Sequence, residues 1–125
     1  MMKRLIALVL TVLMMVMMCA CISEEPADEG VSNAPYVEYT FRSEKYLNQH
    51  YDKHGRDMGF ENPQEYEMAA SDVANNPDAL HKTEAEDGDD VYYVEATNEF
   101  VVISTDGYIR TYFLPDAGKK YFDKQ

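Results

Sequence analysis

Short runs rich in Val, Ile, Tyr, Phe and Thr dominate the chain from Leu80 onward, and dipeptides typical of tight turns separate them. These dipeptides are Asp87-Gly88, Thr97-Asn98 and Asp106-Gly107. β-Branched and aromatic residues favour strands, and Asp-Gly favours short hairpin loops. The pattern therefore predicts four antiparallel strands joined as a meander, near residues 80–85, 91–96, 99–104 and 108–114.

Two helical segments precede the predicted strands. Ser43 is suited to cap a helix that runs to about Arg56, because apolar and aromatic residues recur along it at three- and four-residue spacings. A second helix is predicted to begin at Asn62-Pro63, with the Asn as its cap and Glu65 three residues later, and to end at Asn75-Asn76-Pro77. Helices followed by a hairpin sheet predict an α+β domain, in which two N-terminal helices pack on a four-stranded antiparallel meander sheet.

The first residues have the order of a secretion signal. Basic Lys3-Arg4 is followed by an apolar run and then by Ala20, and Cys21 stands before a polar stretch rich in Glu, Asp and Pro. This arrangement resembles the bacterial lipoprotein signal, in which cleavage leaves the cysteine as a lipidated amino terminus. The interpretation is a signal peptide over 1–20, a lipidated Cys21 with a disordered tether over 21–35, and one folded domain over 36–125.

Two alternatives to a lipid anchor remain open. The run from Leu5 to Ile22 is 18 residues long with one polar interruption, so it is just long enough to span a bilayer as a retained helix. Alternatively, Cys19 and Cys21 are ordinary signal residues that receive no modification. No cysteine follows Cys21, so neither a disulfide nor a thiolate site is expected in the domain.

Charge is strongly unbalanced beyond the signal. Residues 21–125 carry nine basic and 23 acidic side chains, which gives a net charge of −14. Such a field repels anions, and it argues against nonspecific nucleic-acid binding and against electrostatic attachment to anionic lipid. A solubilising surface on an exported domain is the simplest use of this charge.

The segment HYDKHG in the first predicted helix contains His50 and His54 four residues apart on one face, with Lys53 beside them. Imidazoles titrate near neutral pH, so the pair is suited to general base and acid roles, and Lys53 is suited to hold an anion. Helix packing or a solvated surface is the competing interpretation. A zinc site completed by His81 is a weaker alternative, because Tyr51 stands where the zinc-protease signature has Glu, and no metal or cofactor is predicted.

The last predicted strand, in GYIRTYF, offers Arg110 as a bidentate phosphate donor and Thr111 as a hydroxyl donor. Side chains alternate along a strand, so at most one of the two faces the helix that carries His50. Because Ile109 and Phe113 share a face with Thr111 in a regular strand, Thr111 is expected to face the helices. Arg110 is expected to reach the site from an edge or not at all.

Three blocks of the chain, 41–70, 87–115 and 121–125, together resemble the carboxy-terminal ribonuclease domains of bacterial polymorphic toxins, in the fold group shared by barnase, EndoU, colicin and RelE nucleases. The most specific pieces are HYDKHG, the NEF hairpin and GYIRTYF. The second predicted strand departs from this family, because Asp89-Asp90-Val91-Tyr92-Tyr93 is acidic and aromatic where basic residues are usual.

The resemblance implies metal-independent RNA cleavage, in which the ribose 2′-hydroxyl attacks the adjacent phosphate. It assigns His50 as a general base or acid, and Lys53 and His54 as assisting groups or phosphate ligands. Arg110 and Thr111 are assigned to stabilise the charge of the phosphorane. RNA is the implied partner, and the identity of any protein partner or immunity protein is left open.

Three functions compete. The leading one is a lipoprotein anchored at the extracytoplasmic face of a bacterial cell membrane, with an endoribonuclease-like domain. The second is a non-catalytic binding module on the same fold, indicated by the net charge, the acidic second strand and nine tyrosines from Tyr39 onward. The third is a structural envelope lipoprotein with no ligand of its own.

The lipid-anchor interpretation predicts the behaviour of Cys21→Ala. The unmodified protein should fractionate with membranes, and the variant should be released or remain unprocessed, because acyl chains on Cys21 supply the binding free energy. Fractionation and immunoblotting measure this. A variant that stayed cleaved and membrane-bound would show that the anchor is not the lipid.

Overall fold

A computed structural model describes residues 35–125 of the chain. The signal peptide, Cys21 and the tether up to residue 34 lie outside the described residues, so those interpretations stay predictions. Within residues 35–125, no helix is both long and apolar enough to cross a membrane.

The first helix, α1, comprises Glu44–His50 and changes its winding at its end. The Ser43 hydroxyl accepts a hydrogen bond from the amide of Tyr46 at 3.3 Å, as predicted for the cap. A π-helical turn, Tyr51–Gly55, continues the helix, and the Arg56 amide donates to the Tyr51 carbonyl five residues back at 3.0 Å. π-Helical turns are rare and occur frequently at functional sites.

The second helix, α2, comprises Pro63–Asn75, and it begins where the sequence predicted. The Asn62 side chain accepts a hydrogen bond from the Glu65 amide at 2.9 Å. Tyr66 and Ala70 on this helix are completely buried. One face of α2 therefore packs in the core.

Four strands form a single antiparallel sheet in sequential order, which confirms the predicted meander and the α+β fold class. Asn98, Gly88 and Gly107 have positive φ, which matches the turn dipeptides in the sequence. The strands and the short C-terminal helix are β1 Leu80–Thr83, β2 Asp90–Val94, β3 Glu99–Ile103, β4 Ile109–Phe113 and α3 Lys119–Asp123.

The sheet is buried on both faces. On one face, Val101, Ile103 and Tyr112 pack against α1 and α2 in the larger core cluster. On the other face, Val91 and Phe100 pack against Phe122 of α3. The short C-terminal helix α3 therefore covers the second face of the sheet.

A β-bulge interrupts the pairing of β3 with β4. Val102 pairs with Thr111, whereas Ile103 pairs with Ile109, so Arg110 has no partner in the ladder. A bulge changes the direction of the side chains on its strand. Ile109 and Phe113, which share a face in a regular strand, consequently belong to opposite core clusters.

An extended segment, 35–42, lies along α2 and ends beside β4. Tyr39 exchanges two hydrogen bonds with the Ser71 side chain, at 2.8 and 2.9 Å. Phe41 then forms a parallel bridge with Ile109, and the Ile109 amide donates to the Thr40 carbonyl at 2.8 Å. These contacts place Phe41 and the residue after it at the edge of β4.

Gly55 is required by the space around it, which leads to a stability prediction. A Cβ atom at this position would lie 2.5 Å from Cδ2 of Tyr51 and 3.0 Å from Cδ2 of Tyr66. Gly55→Ala should therefore destabilise the domain by about 1–3 kcal/mol, the usual cost of overpacking. Urea denaturation measures the change, and the exposed Lys45→Ala serves as the control that should stay within about 0.5 kcal/mol. Equal stability of Gly55→Ala and the unmodified protein would contradict this packing.

Candidate active site

A cavity of about 280 Å³ lies between α1, the extended segment and the beginning of β4. It brings together His50 and Arg110, two of the five site residues predicted from the sequence. The full lining is Phe41, Arg42, Tyr46, His50, Ile109 and Arg110. This set is called the His50 cavity below.

His50 is half-buried at the wall of this cavity. Its ring centroid lies 5.0 Å from that of Phe41. Burial lowers the pKa of His50 below its ordinary value of 6.5, and the neighbouring His54 and Lys53 lower the pKa further. Its Nδ1 atom is buried and has no hydrogen-bond partner. At neutral pH the ring is thus a neutral imidazole, able to accept a proton.

Arg110 lines the His50 cavity, and the bulge leaves it without a pairing partner on β3. Its Nε lies 2.7 Å from Oδ2 of Asp89, whose side chain is 2% exposed, whereas the Arg110 side chain is 54% exposed. The other oxygen of Asp89, Oδ1, is buried and has no partner. The ion pair with Asp89 engages the Nε edge of the Arg110 guanidinium. The exposed part of the guanidinium can donate hydrogen bonds to a ligand.

A second guanidinium lines the same cavity. Nη2 of Arg42 lies 2.8 and 2.7 Å from the two carboxylate oxygens of Asp106, in the turn before β4. Its Cζ also lies 4.5 Å from the ring centroid of Tyr108, a cation–π distance. Tyr46, half-exposed, completes the polar lining.

His54 and Lys53 line a separate cavity of about 410 Å³, which shares no lining residue with the His50 cavity. The His54 ring stacks on Phe113, with centroids 5.1 Å apart and planes 25° apart. Burial and Lys53 lower the pKa of His54, whereas Asp57 raises it, and the net shift is downward. The full lining of this His54 cavity is Lys53, His54, Asp57, Met58, Phe113, Leu114 and Asp116.

The two cavities are adjacent, because the ring centroids of His50 and His54 are only 6.2 Å apart. The spacing expected for two histidines four residues apart is thus retained across the change from α to π winding. Asp52, between them in sequence, points away and pairs with Arg56 at 2.9 Å.

The expected orientation of the last strand is wrong, and the bulge is the physical reason. Thr111 pairs with Val102, which packs against the cluster on the α3 side of the sheet. Cross-strand partners share a face, so Thr111 lies on the α3 side of the sheet, away from α1 and α2. Arg110, expected at an edge or outside the site, lines the His50 cavity instead.

Sequence reasoning did not assign Asp89 or Arg42 to the site. The sequence indicates Asp89 only as part of an acidic strand. It lies near the last strand because Ile103 of β3 pairs with both Asp90 and Ile109. His81 stacks on Tyr92 and bonds to Asp90, away from the zinc arrangement considered for it. Among residues 35–125, the one carboxylate grouping with spacing for a metal, Glu84, Asp87 and Asp89, contains no histidine.

No protein-family profile matches the chain, and no curated protein matches it. Among solved structures, the chain is similar to a ribonuclease from Escherichia coli complexed with its inhibitor protein. The TM-score is 0.50 and the sequence identity is 21%, over 62% of this chain and 95% of that chain. At this identity the likeness shows the fold alone, so the described residues have a bacterial ribonuclease-like fold. Membership of the polymorphic toxins stays a prediction.

The ion pair of Arg110 with the buried Asp89 predicts an asymmetric response to mutation. Arg110→Ala leaves a buried carboxylate without its partner and should destabilise the domain by about 1–3 kcal/mol. Adding Asp89→Asn should restore part of the loss, since a neutral amide costs less to bury than a charge. Urea denaturation of the single and double variants tests this. An Arg110→Ala variant that unfolds at the same urea concentration as the unmodified protein would refute it.

Proposed function

We propose that the His50 cavity is the active site of an endoribonuclease that uses no metal. One observation carries the proposal: a half-buried histidine with a lowered pKa and a partly exposed guanidinium line the same cavity. A neutral imidazole can act as the general base in phosphodiester cleavage by a ribose hydroxyl, and a fixed cation can stabilise the charge that develops on the phosphoryl oxygens. The ribonuclease-like fold supports this choice of chemistry.

In the proposed reaction, His50 takes the proton of the ribose 2′-hydroxyl. The 2′-oxygen then bonds to phosphorus, and the bond from phosphorus to the 5′-oxygen breaks. Arg110 donates hydrogen bonds to the phosphoryl oxygens as charge accumulates on them. His54, whose ring lies 6.2 Å away, gives a proton to the leaving 5′-oxygen. The products are a 2′,3′-cyclic phosphate and a free 5′-hydroxyl.

The remaining predicted residues take lesser parts in this proposal. Lys53 is exposed beside His54, and it helps to keep the pKa of that imidazole low. Thr111 lies on the face of the sheet opposite to α1 and α2. The hydroxyl of Thr111 is therefore assigned no contact with the phosphate, which leaves Arg110 and Arg42 as the donors that reach it.

We further propose that the enzyme acts as a lipoprotein, held through Cys21 at the extracytoplasmic face of the cell membrane. The support is the order of basic, apolar and small residues before Cys21 in the sequence. An anchor of this kind would leave the domain to meet RNA outside the cytoplasm.

A binding module is the second candidate, and one observation favours it. Both guanidiniums of the His50 cavity are already paired with carboxylates, Arg110 with Asp89 and Arg42 with Asp106. Residues 35–125 contain nine basic and 19 acidic side chains, so the surrounding field also repels polyanions. A neutral or basic partner would not be repelled by this negative field.

The nuclease proposal predicts the effect of His50→Ala. RNA cleavage should slow by about 10²- to 10⁴-fold, the factor that general acid–base catalysis supplies. His81→Ala is the matched control, because His81 is an exposed histidine on β1 that lines neither cavity. The cleavage rate of this variant should be unchanged. Initial rates on a fluorescent oligoribonucleotide measure both. A His50→Ala enzyme as fast as His81→Ala would remove His50 from the mechanism.

The pH dependence of cleavage follows from the two lowered pKa values. His50 must be neutral to accept a proton and His54 must be protonated to donate one, so the rate is highest between their pKa values. Both lie below the ordinary 6.5, because burial disfavours the charged imidazole. The pH–rate profile should therefore have its maximum on the acid side of pH 6.5. A maximum at pH 8 would contradict these assignments.

A further inference from the structure

Three carboxylates converge in the loop between β1 and β2, residues 84–89. One carboxylate oxygen from each of Glu84, Asp87 and Asp89 lies within 4.8 Å of those of the other two. None of the three residues lines the His50 cavity or the His54 cavity. The proposed cleavage of RNA therefore leaves the convergence of these carboxylates unexplained.

Backbone hydrogen bonds close this loop and hold the three side chains on one short segment. The Glu84 amide donates to the Asp89 carbonyl at 2.8 Å, and the Gly88 amide donates to the Glu84 carbonyl at 3.1 Å. Gly88 has a φ of 73°, a conformation that glycine adopts without strain. The closed loop places exposed Asp87 and partly buried Glu84 next to the buried Asp89.

The protein does not balance the charge of this grouping. The three carboxylates contribute −3, and Arg110, whose Nε lies 2.7 Å from Oδ2 of Asp89, contributes +1. Within residues 35–125, neither Glu84 nor Asp87 forms an ion pair. The sum is −2, and carboxylates at this spacing repel each other. One divalent cation would neutralise the grouping.

The other carboxylate oxygen of Asp89 gives an independent reason to expect a cation. Oδ1 is buried and has no hydrogen-bond partner among the described residues. The Asp89 side chain is 2% exposed, so bulk water does not solvate this atom. Buried carboxylate oxygens in proteins are hydrogen-bonded, paired with a cation or bound to a metal ion. Because Arg110 holds Oδ2, Oδ1 is the oxygen of Asp89 that is available to a metal ion.

The donor atoms and their spacing select the kind of cation. The grouping offers carboxylate oxygens and no histidine or cysteine, which suits a hard cation rather than zinc or copper. Ca²⁺ lies about 2.3–2.6 Å from its oxygen ligands, so it bridges oxygens up to about 5.2 Å apart, whereas Mg²⁺ bridges only about 4.2 Å. Separations of up to 4.8 Å therefore fit Ca²⁺ without movement of the loop.

We propose that the β1–β2 loop binds one calcium ion through Glu84, Asp87 and Oδ1 of Asp89. The ion holds the hairpin closed and stabilises the folded domain. It takes no part in RNA cleavage, because Oδ2 of Asp89 stays with Arg110, and calcium binding here is independent of the proposed nuclease function. A partly exposed site with three carboxylates should have a dissociation constant of about 10⁻⁴–10⁻³ M, the range of extracellular calcium modules.

Isothermal titration calorimetry with calcium chloride tests the inference, at constant ionic strength and on protein freed of metal ions. The unmodified protein should bind one Ca²⁺ per chain in this range, and it should bind Mg²⁺ more weakly. Asp87→Asn should weaken calcium binding by at least about 10-fold, because a ligand is lost. Glu86→Gln is the matched control, since Glu86 is an exposed carboxylate of the same loop outside the grouping. The control should change the affinity by less than about 5-fold.

Three results of the titration would overturn the inference. The first is no calcium binding by the unmodified protein. The second is an equal loss of affinity in Asp87→Asn and Glu86→Gln, which would show a general attraction of cations to an acidic loop. The third is tighter binding of Mg²⁺ than of Ca²⁺.

Thermal unfolding gives a second measurement. An ion that binds only the folded chain stabilises it, so calcium at ten times the dissociation constant should raise the melting temperature by about 5–10 °C. Glu86→Gln should show the same rise, and Asp87→Asn should show much less of it. A melting temperature of the unmodified protein that calcium leaves unchanged would contradict the proposed stabilisation.

Discussion

The burial of Tyr66 of α2, with the hydrogen bond that its hydroxyl makes, is the interaction on which the other parts of this domain depend. The residue is completely buried, and its hydroxyl donates a hydrogen bond to the backbone carbonyl of Tyr112 in β4. That bond satisfies the one polar atom of a large core side chain, so burial of the ring incurs no unpaired group. Four other rings surround it, with centroids between 5.0 and 6.1 Å away: Phe41, Tyr51, Phe60 and Tyr112.

This aromatic cluster also fixes the two cavities. Phe41 contacts both Tyr66 and His50, so the packing of the core sets one wall of the His50 cavity. Tyr51 begins the π-helical turn, and its close contact with Gly55 holds the turn against Tyr66. His54 lies within that turn. The two histidines are therefore positioned by buried rings rather than by hydrogen bonds of their own.

The acidic surface is the main physical obstacle to the proposed function. The Coulomb energy of nine basic against 19 acidic side chains disfavours the approach of RNA, most of all at low salt. Within the His50 cavity, however, Asp89 and Asp106 also orient the two guanidiniums. Orientation of the guanidiniums lowers the entropy lost on binding, whereas the carboxylates weaken their attraction for phosphate. We therefore expect weak affinity for RNA.

Much of the fold could be predicted from local signals. The caps at Ser43 and Asn62 and the turn at Asp106-Gly107 are each decided by neighbouring residues, and the structure retains all of them. The bulge at Arg110 was not predictable in this way, because it depends on the register between β3 and β4. Because of this one extra residue, Arg110 lines the His50 cavity, whereas Thr111 lies on the α3 side of the sheet. The partnership of Arg110 with Asp89 was missed for the same reason, since residues 21 apart in sequence meet only in the folded sheet.

The chemical identity of the cleavage product tests the central claim most directly. The purified protein is incubated with single-stranded RNA in the presence of a metal chelator, and the new ends are identified by mass spectrometry. Attack by the 2′-hydroxyl, with His50 as the base, predicts fragments that end in a 2′,3′-cyclic phosphate, formed at the same rate with and without the chelator. Intact RNA, or cleavage that the chelator abolishes, would contradict the account.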